Sequence, residues 1–407
     1  MSTRSEMMRS ILKPVILDGR TGEGGGQLVR IAVSLAALTG TPLKITNVRG
    51  NRSLINITPG LKAQHVSALQ WLAKATYAET EGCFVGSKTI EFKPTLSPAD
   101  IKERDIKIDA DSPASILLVL QAILPILLFA SDANATPISL SIKGGSNGAH
   151  SLSYEYLDQV LLPSLERFGI KVERRLKTRG WSQGPLKLGC AEFKIHPMPL
   201  GQSFKAPDWP AERGTLTRID VSILVLDKLQ KPVKSAMLAE LARVFPGVPI
   251  NFILEEDSAG IYTILVAHTS TGLRFGRDWL YDRKTKGRSP EEISEELVKR
   301  VVKGLDRELN RGGFVDEHLQ DQLVIFQALA DGRSVISGCG LVGEMRNRLD
   351  RTGEPFGDGT KHTTTARWVT SELLPHVRWY DGGQVCEGVG WKAGGVNSAN
   401  IPAAQDP

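Results

Sequence analysis

The sequence predicts an α/β (α+β) fold of three related units, with a different block inserted before the third. Three observations carry this. The order helix, strand, helix, strand recurs three times along the chain. A segment between the second and third copies breaks that order, and it is bounded by Pro197-Met-Pro-Leu-Gly-Gln and Asn310-Arg-Gly-Gly. The 407 residues, 41% hydrophobic and 23% charged, suit a soluble globular chain long enough for more than one domain.

In the first unit the pattern predicts a helix over Gln27–Leu38, a strand over Pro42–Val48 and a helix over Gly60–Ala75. Strand-like Cys83–Val85 and Thr89–Phe92 follow. The second unit has a helix over Ser115–Phe129, a strand over Ile138–Ile142, a helix over Ser153–Phe168 and a strand over Ile170–Glu173. The third has a helix over Glu317–Leu329, a strand at Val335–Ser337, a helix over Thr364–Leu374 and a strand near Val377–Trp379. Each unit is expected to lay two helices on one face of a sheet.

The block over 198–306 reads βαββα: strand Arg218–Val225, helix Lys231–Phe245, strands Pro249–Leu254 and Gly260–Ala267, then a long amphipathic helix to Leu309. Ser289-Pro-Glu-Glu opens that last helix with a cap, a first-turn proline and early glutamates. The expected division is a disordered leader over 1–14, a large domain over 15–197 and 307–395, the inserted domain over 198–306, and a disordered tail over 396–407.

The net charge of +5 permits an RNA partner without demanding one, because lysines and arginines are spread along the chain. No apolar run reaches the ~18 residues of a membrane span. The longest, Ile116–Ala130, contains Gln121 and Pro125 and reads as a buried helix. Four widely spaced cysteines without a CxxC argue against a metal cluster or a disulfide framework. They fit a reducing intracellular compartment, nuclear in a eukaryote and otherwise cytoplasmic.

Gly22-Glu-Gly-Gly-Gly-Gln27 feeds directly into the first apolar helix. Glycines let the backbone approach a ligand, and free N–H groups of a first helical turn attract anions. The loop is neither a Walker A sequence nor a Rossmann fingerprint. Glu23 adds a carboxylate suited to a hard cation beside phosphate. Further polar clusters fall at expected loops and helix starts: Arg49-Gly-Asn-Arg52, Gly60–His65, Gly144–Asn147, His318–Gln322 and Lys361–Thr365.

With these motifs the chain resembles the RNA 3′-terminal phosphate cyclase family. The resemblance rests on Gly22-Glu-Gly-Gly-Gly-Gln-Leu-Val-Arg30, Pro59-Gly-Leu-Lys-Ala-Gln-His65, Leu118-Val-Leu-Gln-Ala-Ile-Leu-Pro125 and Leu319-Gln-Asp-Gln-Leu323, with His362 opening a late helix. It spans nearly the full length. It implies three βαβαββ repeats plus a smaller inserted domain. It also implies an ATP-dependent reaction, with Mg²⁺ or Mn²⁺, on RNA bearing a 3′-terminal phosphate. A histidine takes AMP from ATP and releases pyrophosphate, AMP passes to the RNA phosphate, and the neighbouring 2′-OH closes a 2′,3′-cyclic phosphate.

The resemblance assigns His362 as the nucleophile and Glu23 to the metal. It assigns Gln121, His318, Leu319, Gln320, Asp321, Gln322 and Arg30 to ATP. Arg49, Arg52, Gln64 and His65 are the expected clamp for terminal phosphates, with arginine forks suited to that task. Gln121 also suits a bond between helices, and His65 a helix-packing role. Relatives often carry an aromatic residue where His318 stands, so stacking on adenine falls here to imidazole.

Two segments depart from the family pattern, Ala110–Ser115 and Gly180–Gly189, and the third unit carries an insertion over Gly338–Lys361. The rival readings are a non-catalytic cyclase-like protein acting in ribosome assembly and a repeat-built transferase acting on small phosphorylated metabolites. Retention of Glu23, Gln121, Asp321 and His362 favours the cyclase.

Overall fold

The computed structural model describes residues 13–51, 58–110, 114–148, 151–182, 188–256, 260–338 and 346–395. Arg52, most of the expected leader, the tail over 396–407 and parts of the two departing segments and of the insertion lie outside the described residues.

The architecture is mixed α/β, with three four-stranded sheets, one three-stranded sheet and interleaved helices. The first sheet contains β1 (Val15–Asp18), β2 (Leu43–Thr46), β3 (Glu79–Glu81) and β4 (Ile90–Lys93) in the order β1-β2-β4-β3. Its helices are α1 (Gly26–Thr39) and α2 (Ala63–Thr76). The second contains β5 (Asp105–Asp109), β6 (Ile138–Gly144), β7 (Val172–Thr178) and β8 (Gly189–Ile195) in the matching order β5-β6-β8-β7. Its helices are α3 (Ile116–Leu127) and a composite α4, formed by Tyr154–Tyr156, a π-helical turn Leu157–Leu161 and Leu162–Glu166. In both sheets the first two strands are parallel and the remaining pairs antiparallel.

The block that follows contains β9 (Leu216–Val225), α5 (Asp227–Val244), β10 (Ile250–Glu256), β11 (Tyr262–Thr269), β12 (Arg274–Leu280) and α6 (Pro290–Asn310), with sheet order β10-β9-β11-β12. The order is therefore βαβββα, which corrects the expected βαββα. β12 was hidden because Arg274, Gly276, Arg277 and Asp278 do not read as a buried strand. Their partners come from distant segments: Arg274 donates to the Gln159 carbonyl at 2.8 Å, and Asp278 accepts from the Tyr262 hydroxyl at 3.0 Å. A Cβ at Gly276 would stand 2.6 Å from the Tyr156 ring, so only glycine allows this strand to approach α4 so closely.

The last unit contains α7 (Glu317–Leu329), β13 (Asp331–Val335), α8 (Lys361–Leu373), β14 (Arg378–Tyr380) and β15 (Val385–Val389), in a sheet ordered β13-β15-β14. Beside β13, Lys205 forms a parallel bridge with Asp331, and the Ala206 and Asp331 amides donate to the Asp331 and Phe204 carbonyls at 2.9 Å. The chain thus touches this sheet before β9 begins and returns to it after α6. Arg213 and the Leu309 carbonyl, at the two ends of the intervening block, are hydrogen-bonded.

Helix α1 lies at the centre. All its residues except Gly26 and Arg30 are buried, and it packs against α2, α3 and α8, while α7 packs against α8. The run Leu28-Val-Arg-Ile-Ala-Val-Ser-Leu explains this, because it is apolar nearly all round. Gly40 ends the helix at φ 74° and returns its N–H to the Ala36 carbonyl. The first turns of α1 and α8 meet beside the glycine-rich loop, with Asp321 of α7 against Gln27.

Candidate active site

The loop before α1 is shaped by contacts that exclude side chains. Gly22 and Gly24 adopt φ 68° and 63°, in the left-handed region. The Glu23 amide donates to Thr365 Oγ1 of α8 at 2.8 Å, which ties the loop to the third unit. A Cβ on Gly25 would stand 2.1 Å from Glu23 Oε1, so the carboxylate lies folded over that glycine. A Cβ on Gly26 would stand 2.4 Å from His65 Nε2 and 2.9 Å from an Arg30 amino nitrogen. The glycines hold open a recess lined by Glu23, Arg30, His65 and the first turn of α1.

His65 is buried at 3% exposure. Its Nδ1 accepts from the Lys62 amide at 3.0 Å, so the neutral ring carries its proton on Nε2. That nitrogen faces an Arg30 amino group at 3.5 Å. Two donors therefore converge beside a helix N-terminus, which is an arrangement for an anion. Burial, with Arg30, Arg49 and Lys62 nearby, holds His65 well below its ordinary pKa. Burial also draws Arg30 down to about 10, against the favourable charges of Glu23 and Asp321. Arg49, at φ 54°, donates to the Thr58 and Gly60 carbonyls at 3.1 and 2.9 Å. Gln64 is half-buried at the second position of α2.

From this recess a chain of hydrogen bonds links helices α1, α3, α7 and α8. Arg30 Nε donates to Gln121 Oε1 at 2.6 Å, and Gln121 Nε2 donates to Gln322 Oε1 at 2.9 Å. Gln322 Nε2 donates to Asp321 Oδ2 at 2.9 Å, and Gln27 Nε2 donates to the same oxygen. Gln27 Oε1 then meets His362 Nδ1 at 2.8 Å. Burial raises the Asp321 carboxyl to about 6, opposed by the charges of His362, His318 and Arg30. His362 is the second residue of α8, whose N-cap Thr360 accepts from the Thr363 amide at 3.2 Å, and its ring is exposed.

Beside the chain lies a narrow apolar recess lined by Ile31, Leu120, Leu124, Leu152, Leu157 and Phe326, with Gln121, Asp321 and Gln322 at its polar side. His318 stands at the start of α7, edge-on to Tyr156, and its Nε2 meets an Arg277 amino nitrogen of β12 at 2.6 Å. Arg277 also pairs with Glu308 and Glu317 at 2.5 Å each.

The structure brings together Glu23, Arg30, His65, Gln121, Asp321, Gln322 and His362. It turns Leu319 into the core at 1% exposure, and Gln320 toward Thr363 at 3.4 Å, away from that chain. Gln27, Thr365 and Arg277 were not legible as site residues. Gln27 stood in the glycine-rich motif at the start of a largely apolar helix, with nothing in the sequence to name its partners. Among the described residues no group of three or more His, Cys, Asp or Glu side chains converges. Glu23 as a lone carboxylate still fits Mg²⁺, which keeps several waters and commonly takes substrate phosphates as its other ligands.

The family model described as RNA 3′-terminal phosphate cyclase matches residues 21–377. The RNA 3′-terminal phosphate cyclase of Pyrococcus furiosus is 30% identical over 371 residues, covering 91% of this chain and 96% of the relative. That of Methanosarcina barkeri is 32% identical over 358 residues, covering 88% and 94%. That of Ignicoccus hospitalis is 33% identical over 338 residues, covering 80% and 88%.

Proposed function

The chain belongs to the RNA 3′-terminal phosphate cyclase family, and from that premise we propose that it converts an RNA 3′-terminal phosphate to a 2′,3′-cyclic phosphate at the expense of ATP. The observation that carries the reading is the His362 ring. It is held through Nδ1 at 2.8 Å from Gln27, beside the glycine-rich loop, with its exposed face toward solvent.

His362 Nε2 attacks the α-phosphorus of ATP. The Nε2–P bond forms as the bond to pyrophosphate breaks, and pyrophosphate carries away the electron pair. An oxygen of the RNA 3′-phosphate then displaces the histidine and takes AMP. The adjacent 2′-OH attacks that activated phosphorus, loses its proton and expels AMP. Attachment of AMP matters because a phosphate dianion is a poor electrophile, whereas an AMP leaving group departs readily. The 2′-OH attack is intramolecular, with the high effective molarity that proximity gives.

In this reading Arg30, His65 and the first turn of α1 seat phosphate oxygens, with Arg49 and Gln64 toward the RNA end; Arg52, outside the described residues, is assigned to the same clamp by the resemblance alone. Gln121, His318, Asp321 and Gln322 border the nucleoside, beside the apolar recess. Glu23 holds Mg²⁺ or Mn²⁺, which when bound offsets phosphate charge. The architecture reads as three βαβαββ repeats, the third begun by the segment around Lys205, with the βαβββα block inserted within it.

Incubation with α-labelled ATP and Mg²⁺ tests the reading. The expected product is a protein-bound adenylate, labile in acid and stable in alkali, absent from His362→Ala. A folded wild-type protein that forms no adduct would sink the cyclase reading and favour a non-catalytic relative.

A further inference from the structure

We infer that Gln27, backed by Asp321, is the positioning residue that fixes His362 in its Nδ1–H tautomer and so presents Nε2 as the nucleophile; this rests on the function proposed above. The argument begins with what each group along the hydrogen-bond chain is able to do. Arg30, at one end, only donates, and an ionised Asp321 only accepts. Between them, Gln121 takes the Arg30 proton on its carbonyl at 2.6 Å and therefore presents its amide NH₂ to Gln322 at 2.9 Å. Gln322 in turn presents its NH₂ to Asp321 at 2.9 Å. Each amide has one orientation, set by the charges at the two ends.

Gln27 reaches Asp321 from the other side under the same constraint. Its Nε2 donates to Asp321 Oδ2, so its Oε1 is the atom left facing His362 Nδ1 at 2.8 Å. A carbonyl oxygen accepts and cannot donate, so Nδ1 must carry the proton. The lone pair of the neutral ring is then on Nε2. With the Gln27 amide reversed, its oxygen would face the carboxylate and its NH₂ would face Nδ1. The imidazole proton would move to Nε2 and occupy the lone pair that attack requires. Gln27 is 1% exposed and held within α1, so water does not offer an alternative partner.

The same arrangement serves the adduct. As Nε2 bonds to phosphorus the ring becomes cationic. The Nδ1 proton stays in place, and the Asp321 charge acts on it through the Gln27 amide. A neutral amide between the two fixes the tautomer without placing a carboxylate directly on the nucleophile.

Two variants and one spectroscopic measurement test this in the full-length protein. In ¹⁵N-histidine-labelled wild-type protein, His362 is expected to show a protonated Nδ1 and an unprotonated Nε2. In Gln27→Leu that pattern is expected to be lost. Single-turnover adenylylation at saturating ATP should fall at least ~10-fold and up to the ~10⁴-fold that a wrong histidine tautomer produces in other enzymes, with ATP affinity changed less than about threefold. Exchange of the pair, Gln27→Glu with Asp321→Asn, keeps an acceptor on Nδ1 and a donor behind it. It should recover most of the rate lost in Gln27→Leu.

An Nε2-protonated His362 in the wild-type protein would overturn the inference whether or not an adduct forms. So would a Gln27→Leu protein that adenylylates at the wild-type rate, or an exchanged pair no faster than Gln27→Leu. Absence of an adduct from the wild-type protein with the expected tautomer present would instead count against the cyclase reading alone.

Discussion

Replacing Asp321 by Asn should change how stability responds to pH, and the structure supplies the size. The carboxyl is 8% exposed, and burial raises it from 3.8 to about 6. A folded-state value above the unfolded one means that the folded chain binds the proton more tightly. The resulting stability is complete below the unfolded value and is lost as pH rises through about 6. A shift of roughly two units corresponds to about 3 kcal/mol, of which about 2 kcal/mol falls between about pH 4.5 and about pH 7.5. Asn does not titrate. The difference in unfolding free energy between wild type and Asp321→Asn should therefore move by about 2 kcal/mol over that interval, in favour of wild type on acidification. Urea unfolding followed by tryptophan fluorescence at both pH values gives this double difference, and other titrating groups cancel to first order. Parallel pH dependences, within about 0.5 kcal/mol, would refute the claim that α1 and α7 desolvate this carboxylate. Gln27 and Gln322 both donate to Asp321 Oδ2, so a carboxyl protonated on Oδ1 keeps both bonds.

Two further outcomes test other parts of the site. Gly26→Ala places a methyl group 2.4 Å from His65 Nε2 and 2.9 Å from Arg30, filling the anion recess. It should cut adenylylation more than tenfold while circular dichroism stays native, and an unchanged rate would remove the recess from phosphate binding. Arg277→Met leaves the Glu308 side chain, 1% exposed, with Arg311 at 2.6 Å as its remaining cation, and should lower stability by about 1–2 kcal/mol in calorimetry. Adding Glu308→Leu should restore much of that, and a double variant no more stable than Arg277→Met would contradict this role.

The sequence made some elements plain and concealed others for physical reasons. Helix α6 was legible from its start because Ser289 and Glu292 form a reciprocal cap. Helix α1 was legible because its apolar residues are interrupted only by Arg30 and Ser34 between Leu28 and Leu38. β1 and β5 were missed, being four and five residues long, and β5 alternates charged with buried positions. Cys83-Phe-Val looked like a strand but is a turn between Gly82 and Gly86, at φ 72° and 89°, which leaves Phe84 63% exposed. In the site, Glu23, Arg30 and His362 were reached through motifs. Gln27 stands in the same motif, but its role did not show, because its partners lie 294 and 335 residues away and no local pattern encodes a contact of that range.

The contact between Arg213 and the Leu309 carbonyl has a consequence for how such a chain is assembled. The block from β9 to α6 leaves and re-enters its host at neighbouring points. To the sheet around β13, everything between them is therefore equivalent to one long surface loop. Lengthening a loop costs closure entropy only logarithmically, about 0.6 kcal/mol per doubling. A segment attached this way can be acquired, exchanged or trimmed without breaking a strand pairing elsewhere. In a chain whose candidate site joins side chains of α1, α3, α7 and α8, such a stem is where length can be added with the register among those helices undisturbed.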